Sequence, residues 1–157
     1  MRILAAETRE QIDEVRRLFE EYWNAFGFTP CFQNFGEEVA NLPGPYASPG
    51  GRLGLALING TVAGCIALRR FDARRAEMKR LYVRPEFRRH RLGHALVEWI
   101  IDEARSAGYR ELVCDTLPVM GAALAMYEQR GFERIEAYAG PSSPGTIYLR
   151  LTLSEAM

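Results

Sequence analysis

The dipeptide Asn59-Gly60, which stands between two apolar runs, restricts the fold of this chain more than any other feature. The run "RLGLALI" (52–58) precedes it and "TVAGCIALRRF" (61–71) follows it. Asn-Gly favours the positive φ angles of a two-residue turn, so the two runs are predicted to pair as an antiparallel hairpin. The segment "AEMKRLYV" supplies a third strand at about 76–83. The centre of the predicted fold is therefore a β-meander.

Helical periodicity surrounds this meander. Thr8 and Gln11 have the spacing of a capping box, and apolar residues recur at helical intervals over 9–26. A mostly apolar helix is predicted over 92–107 and ends at Gly108. A short helix near 35–42 and another at 120–130 complete the helices, and further strands are predicted at 2–6, 110–116, 132–138 and 146–153.

This order, β-α-(α)-β-β-β-α-β-α-β-β, predicts an α/β (α+β) fold. The sheet is expected to be mixed and mostly antiparallel, with about seven strands and helices on both faces. A length of 157 residues suits one domain over 1–157.

Composition excludes several classes of protein. Twenty basic and twenty acidic residues cancel, so the net charge gives no reason to expect nucleic-acid or membrane binding. Cys31, Cys65 and Cys114 form no CxxC pair, and no signal peptide or long apolar run is seen, so a cytoplasmic protein with reduced thiols is expected. His90 and His94 are four residues apart but lack a third ligand or an HExxH motif, so no metal site is predicted.

Positive charge is concentrated just before the helix at 92–107. Ten Lys and Arg residues lie between positions 69 and 91, against three acids, which leaves a local excess of seven. A strand followed by a basic turn and a helix places free backbone N–H groups at one point, which suits an anion. A solvated basic turn or a nucleic-acid patch would explain the same residues.

Two motifs follow one another along the chain. The first is Q/R-x-x-G-x-G/A, with Arg88 and Gly93 at the outer positions and Arg91 in place of the first glycine. The second is A-x-x-L-Y-x-x-x-G-F, matched by "ALAMYEQRGF" (123–132). Together they resemble the GNAT superfamily of acetyl-CoA-dependent N-acyltransferases. The stretches "CFQNF", "LPGPY", "MKRLYV" and "DTLP" and the "PG" near the end also resemble a prokaryotic subgroup of unassigned substrate. Because Arg91 has a bulky side chain, it is expected to adopt helix-initiating backbone geometry.

The resemblance implies that acetyl-CoA is the cofactor. It implies that the fourth and fifth strands splay apart, that the pantetheine arm lies between them, and that a backbone N–H there serves the oxyanion. Met120 replaces a common asparagine. The cofactor-binding residues expected on this basis are Leu81, Tyr82, Val83, Arg88, Arg89, His90, Arg91, Leu92, Gly93, His94, Met120 and Tyr127.

Three residues are candidates for proton transfer. The resemblance implies that Tyr127 protonates the leaving thiolate, although it could equally be a packed core aromatic. Glu77 or Asp115 would act as the base through water. Glu77 could instead pair with a nearby cation, and Asp115 could cap the turn before Pro118.

Lys79 and Arg80 are consecutive on a strand that is expected to be central. Strict alternation would send one charge to each face of the sheet. A β-bulge near Arg80 would resolve this conflict, and bulges are common beside active sites. Without a bulge, one of the two side chains would extend past the cofactor arm or meet an acid in the cleft.

The acceptor is expected to be a small, partly apolar amine or an amino-acid-like molecule. A peptide or protein N-terminus is a second possibility, and a non-catalytic acyl-CoA-binding module is a third. The resemblance leaves homodimerisation open. The expected pocket residues are Tyr22, Phe26, Phe28, Phe32, Gln33, Phe35, Tyr46 and Tyr138.

Overall fold

The computed structural model describes residues 1–25, 35–117, 121–138 and 145–153, without the side chain of Arg89. The described part contains a sheet flanked by helices, as predicted. The strands are β1 (Arg2–Ala5), β2 (Arg52–Ile58), β3 (Thr61–Arg70), β4 (Arg75–Val83), β5 (Glu111–Thr116), β6 (Glu133–Ile135) and β7 (Ile147–Thr152). The helices are α1 (Arg9–Ala25), α2 (Phe35–Ala40), α3 (Leu92–Ser106) and α4 (Gly121–Gln129), with 3-10 turns at Gly44–Tyr46 and Pro85–His90.

The strands are ordered β1-β2-β3-β4-β5-β7-β6 in one seven-stranded sheet. All neighbouring strands are antiparallel except β4 and β5, which are parallel. The predicted mixed, mostly antiparallel sheet is therefore confirmed. β4 and β5 pair only from Arg75 and Glu111 to Glu77 and Val113, so they separate beyond these residues. The predicted splay between the fourth and fifth strands is thus present.

Local signals in the sequence account for the first turn and the first helix. Asn59 and Gly60 have φ angles of 51° and 80°, as the hairpin prediction requires. At the start of α1, Gln11 Oε1 accepts hydrogen bonds from the backbone of Glu7 and Thr8, and Thr8 Oγ1 accepts one from Gln11. The capping box is therefore confirmed.

Each face of the sheet has its own apolar layer. One layer packs α3 and α4 against the sheet through residues such as Leu96 and Ile100, which are fully buried. The other packs α1 and α2 through Phe19 and Tyr46, among others. Among the described residues, no helix has both the length and the apolar character that crossing a membrane requires.

The predicted β-bulge at Arg80 is confirmed. Cys65 pairs with Tyr82 and Ala67 with Lys79, so two residues of β4 lie opposite one residue of β3. Arg80 itself has a φ of 62°, in the left-handed region. The extra residue resets the alternation of the strand, and Arg80 therefore joins Lys79 on the face covered by α1 and α2.

Arg80 is held there by a buried ion pair with α2. Its guanidinium donates to both carboxylate oxygens of Glu38, at 2.9 and 2.8 Å, and its side chain is 3% exposed. Trp23 and Phe35 stack at 4.1 Å, and the guanidinium lies 5.8 and 5.7 Å from their ring centroids. This cluster fixes α2 to both α1 and β4.

The predicted strand at 132–138 is wrong beyond Ile135. The ladder with β7 ends at the pair Ile135 and Tyr148. The chain then leaves the edge of the sheet, because the Tyr138 hydroxyl donates to Glu77 Oε2 on β4 at 2.6 Å. Its ring packs edge-on against Tyr148, with centroids 5.2 Å apart.

We expect Glu38→Gln to lower the free energy of unfolding by about 3 kcal/mol, because it leaves the buried Arg80 guanidinium without a counter-charge. Urea denaturation followed by circular dichroism measures this change. Glu128→Gln removes the carboxylate of an exposed pair with Arg134 and should cost less than about 1 kcal/mol. Equal losses in the two variants would contradict the structural role of the buried pair.

Candidate active site

A cavity of about 510 Å³ opens where β4 and β5 diverge. Beyond Glu77 the edge of β4 that faces β5 pairs with no described strand, so its backbone N–H and C=O groups face this space. Such groups bind an extended ligand in the way that another strand would. The lining residues are Tyr22, Met78, Lys79, Arg80, Leu81, Tyr82, Val83, Arg88, Arg91, Gly93, His94, Asp115, Thr116, Leu117, Ala122, Ala123, Met126, Tyr127 and Thr146.

Asp115 lines this cavity from the C-terminal end of β5. Burial is the main cause that raises the pKa of its carboxyl, and the negative charge of Glu77 raises it further. Lys79 and Arg80 act in the opposite direction. A carboxylate with a raised pKa binds a proton more strongly, which suits a general base.

Glu77 lies on β4 but is not among the residues that line the cavity. Its side chain is 3% exposed and forms an ion pair with Arg69, whose Nη2 lies 2.7 Å from Oε1. Its other oxygen accepts the hydrogen bond of Tyr138 at 2.6 Å. The alternative in which Glu77 pairs with a nearby arginine is therefore confirmed, and the partner stands opposite it on β3.

Tyr127 reaches the cavity from α4, on the other face of the sheet. The residue is also packed in the core, with its ring centroid 5.5 Å from that of Phe132. Burial raises the pKa of its phenol well above the ordinary value, so the hydroxyl keeps its proton at neutral pH. Packing and exposure to the cavity are thus combined in one side chain.

The basic turn lies at the start of α3, with Arg88, Arg91, Gly93 and His94 on the cavity wall. The prediction of helix-initiating geometry at Arg91 is wrong, because its φ of 54° and ψ of 29° lie in the left-handed region. This is the conformation that the usual glycine adopts without cost, and a residue with a side chain is strained there by about 1 kcal/mol. The arginine therefore keeps the turn of the motif and adds a guanidinium to the cavity.

Some of the other predicted residues lie elsewhere. His90 is exposed, and Leu92, Phe35 and Tyr46 are buried in the apolar layers, so none of them lines the cavity. Tyr138 covers Glu77 instead of the cavity. Phe26, Phe28, Phe32, Gln33, Met120 and the side chain of Arg89 lie outside the described residues.

Sequence reasoning left the place of Lys79 open, with a position in the cleft as one alternative, and it overlooked Thr116. Both line the cavity, at the diverging parts of β4 and β5. Thr116 Oγ1 is buried, and it has no hydrogen-bond partner among the described residues. The consecutive charges in "MKRLYV" were the available signal for Lys79, whereas nothing in "VCDTLP" distinguishes the threonine.

Comparisons with known proteins agree with this geometry. An uncharacterized N-acetyltransferase of Schizosaccharomyces pombe is 37% identical over 155 residues, which cover 98% of this chain and 95% of that protein. A solved GNAT-family acetyltransferase of Staphylococcus aureus has a TM-score of 0.82 at 20% identity and covers 98% of this chain and 99% of its own. The structure of yncA from Salmonella typhimurium, with its cofactor acetyl-CoA, has a TM-score of 0.74 at 20% identity, covering 100% and 96%.

A family model extends these likenesses to defined residues. The model described as "Acetyltransferase (GNAT) family" matches residues 12–132, which include α1, the diverging strand β4, the basic turn and α4. With this match and the relative from S. pombe, the chain belongs to the GNAT family of N-acetyltransferases.

Proposed function

We propose that this protein transfers the acetyl group of acetyl-CoA to the primary amine of a small, amino-acid-like molecule by direct attack. One observation carries the proposal: a carboxylate with a raised pKa, Asp115, and a protonated phenol, Tyr127, line one cavity. Acetyl transfer to an amine needs one group that accepts a proton and another that donates one. The gap between the diverging strands opens to Asp115 from one face of the sheet and to Tyr127 from the other.

The residues of the cavity fit coenzyme A. The free edge of β4 offers backbone groups to an extended amide-containing chain, and Leu81 and Val83 lie on it. The Val83 carbonyl accepts a hydrogen bond from Arg88 Nε at 2.9 Å, so at this residue the N–H is the group left for a ligand. Thr116 Oγ1 is a buried polar atom without a partner among the described residues, so an amide in the gap would satisfy it. At the other end, the first turn of α3 and the guanidinium groups of Arg88 and Arg91 suit phosphate oxygens.

Acetyl-CoA supplies an acetyl group that is activated as a thioester. Asp115 accepts a proton from the acceptor ammonium through water, which makes the amine nucleophilic. The neutral amine would then form the C–N bond as the C–S bond of the thioester breaks. Tyr127 holds its proton at neutral pH and would deliver it to the departing sulfur, and the proton that the nitrogen loses as the amide forms would return to the phenolate through water. Backbone N–H groups of β4 near Leu81 and Val83 are placed to stabilise negative charge on the carbonyl oxygen, a contribution typically worth a few kcal/mol.

Asp115 suits the role of base better than Glu77 does. Glu77 is bound on both oxygens, by Arg69 and Tyr138, so neither oxygen is free to accept a proton from an acceptor in the cavity. Asp115 is in no ion pair among the described residues, and its pKa is raised mainly by burial. It is also the one of the two that reaches the cavity.

The function is tested by mixing the protein with acetyl-CoA and a panel of primary amines and following the release of free thiol. We expect amine-dependent thiol release, with mass spectrometry showing one added acetyl group on the amine. Tyr127→Phe should lower kcat by about 10- to 100-fold, since it removes only the donated proton. Binding of acetyl-CoA without amine-dependent thiol release would contradict the proposal.

Asp115→Asn should lower kcat/KM by at least about 100-fold at pH 7, because the base is lost. The base works in its ionised form, so wild-type activity should fall with decreasing pH at a midpoint above the ordinary aspartate value of 3.8. A pH–rate profile measures this midpoint. The residual activity of Asp115→Asn should lack this fall at low pH, which is the low-pH limb of the profile.

Measuring the stability of the variants distinguishes loss of the catalytic base from unfolding of the protein. Because the pKa of Asp115 is raised on folding, the folded state binds the proton more tightly, and ionisation at neutral pH disfavours folding. Asp115→Asn should therefore be at least as stable as the wild type at pH 7. Glu77→Gln should be less stable, because it leaves Arg69 unpaired. A low-pH limb that moves with Glu77→Gln and not with Asp115→Asn would assign the base to Glu77.

Arg91→Gly should raise the Kd for coenzyme A about fivefold while leaving thermal stability unchanged or slightly higher. The loss comes from a charge-assisted contact to phosphate, and the gain comes from relief of the left-handed conformation. Isothermal titration calorimetry and thermal unfolding measure the two effects. Arg91→Lys keeps the charge and should bind within about twofold of the wild type. Unchanged affinity in Arg91→Gly would show that the arginine only tolerates the turn.

A further inference from the structure

The sheet face beneath α1 and α2 carries charged side chains that are mostly paired. Arg80 is paired with Glu38 through two hydrogen bonds, and Arg69 is paired with Glu77 through one oxygen of the carboxylate. Within each pair the positive and the negative charge cancel. They leave no charge over for an acceptor molecule.

Lys79 and Asp115 are the exceptions on this face. Neither forms an ion pair within 4.0 Å among the described residues, although both line the cavity. Apart from the side chain of Arg89, which is not described, the undescribed segments 26–34, 118–120, 139–144 and 154–157 contain no Lys or Arg, and their one acidic residue is Glu155. The cavity wall thus presents one ammonium and one carboxylate that form no ion pair with any described side chain.

Lys79 and Asp115 are both partly buried in the cavity wall. Burial lowers the pKa of the Lys79 ammonium, and burial raises the pKa of the Asp115 carboxyl. Each shift shows that the charged form lacks the solvation it has in water. A charge in such a place is stabilised strongly by an opposite charge that enters the cavity.

We propose that the acceptor is an amino acid, whose carboxylate pairs with Lys79 while its amino group faces Asp115. This inference rests on the proposed acetyl transfer and names its substrate class and a specificity-determining residue. Lys79 and Asp115 project from the two diverging strands, so they meet the two ends of a zwitterion from opposite sides of the gap. Tyr22, which lines the same cavity from α1, adds an aromatic surface for the amino-acid side chain.

The same charges disfavour other acceptors. A simple amine can interact with Asp115, but it offers no negative charge to Lys79. The partly buried Lys79 ammonium then lies near the positive charge of the amine without a counter-ion from the substrate. A polyamine brings further positive charges to a cavity in which Asp115 is the only acid among the described lining residues, since Glu38 and Glu77 lie outside it and are paired. An amino acid brings one charge of each sign, which matches the two unpaired groups.

The test compares the common amino acids with matched amines that lack the carboxylate, such as L-phenylalanine with 2-phenylethylamine and L-leucine with 3-methylbutylamine. L-Phenylalaninamide keeps the side chain and the α-carbon but removes the negative charge. We expect kcat/KM for the best amino acid to exceed that of its matched amine and its amide by at least about 100-fold. Thiol release from acetyl-CoA measures all three compounds.

Lys79→Met should remove this preference. Because Lys79 also lowers the pKa of Asp115, both activities are compared on the plateau of each enzyme's pH–rate profile. There, activity with the amino acid is expected to fall about 100-fold, mainly through KM, and activity with the matched amine to fall at least about 10-fold less. Lys79→Arg should keep part of the preference, because the positive charge remains. Arg134→Met removes an exposed cation that does not line the cavity and should change neither value. Thermal unfolding with and without coenzyme A confirms that each variant is folded and still binds the cofactor.

The outcomes separate the two proposals. Acetylation of amines with no preference for the carboxylate, or a preference that survives in Lys79→Met, would overturn the amino-acid proposal and leave the acetyltransferase proposal standing. If the protein acetylates none of the amino acids and none of the amines, both proposals are overturned. Loss of activity with matched amines and amino acids alike in folded Lys79→Met would show a general role for the lysine and overturn its role in specificity.

Discussion

The parallel pairing of β4 and β5 stops at Glu77 and Val113, and the rest of the site depends on this interruption. Had the ladder continued, the backbone groups of β4 would be satisfied by β5 and no cavity would separate them. The β-bulge at Arg80 lies just beyond the last pair, and a bulge bends the strand that carries it. The opening in the sheet also gives groups from opposite faces access to one space, which a continuous sheet would prevent.

The bulge has an electrostatic as well as a geometric effect. Without it, Arg80 would point into the layer between the sheet and α3, where the packed residues are almost all apolar. With it, Arg80 reaches Glu38 and the aromatic rings of Trp23 and Phe35. Left-handed φ at Arg80 is strained by about 1 kcal/mol, which the bidentate contact with Glu38 offsets.

Most of the fold could be predicted from the sequence, because Asn59-Gly60, the helical spacings and the bulge expected at Arg80 are local patterns. The site was less predictable, because its chemistry depends on contacts between distant residues. Glu77 and Asp115 are both carboxylates on strands. In the folded protein Arg69 and Tyr138 bind the two oxygens of Glu77 and not those of Asp115. The sheet brings Arg69 to Glu77, and the departure of the chain from β6 brings Tyr138 there. Arg91 was misjudged because the replacement of glycine suggested a different backbone, whereas the turn kept its left-handed geometry.

The position of β7 has a consequence for how the chain folds as it is synthesised. β7 lies between β5 and β6 and pairs with both, although it is the last of the strands to be made. Until residues 147–152 leave the ribosome, β5 has only its three pairs with β4, and β6 has no neighbour in the sheet. The half of the sheet that carries Asp115 therefore forms after the meander and α3, so an incomplete chain exposes a strand edge that can associate with other chains.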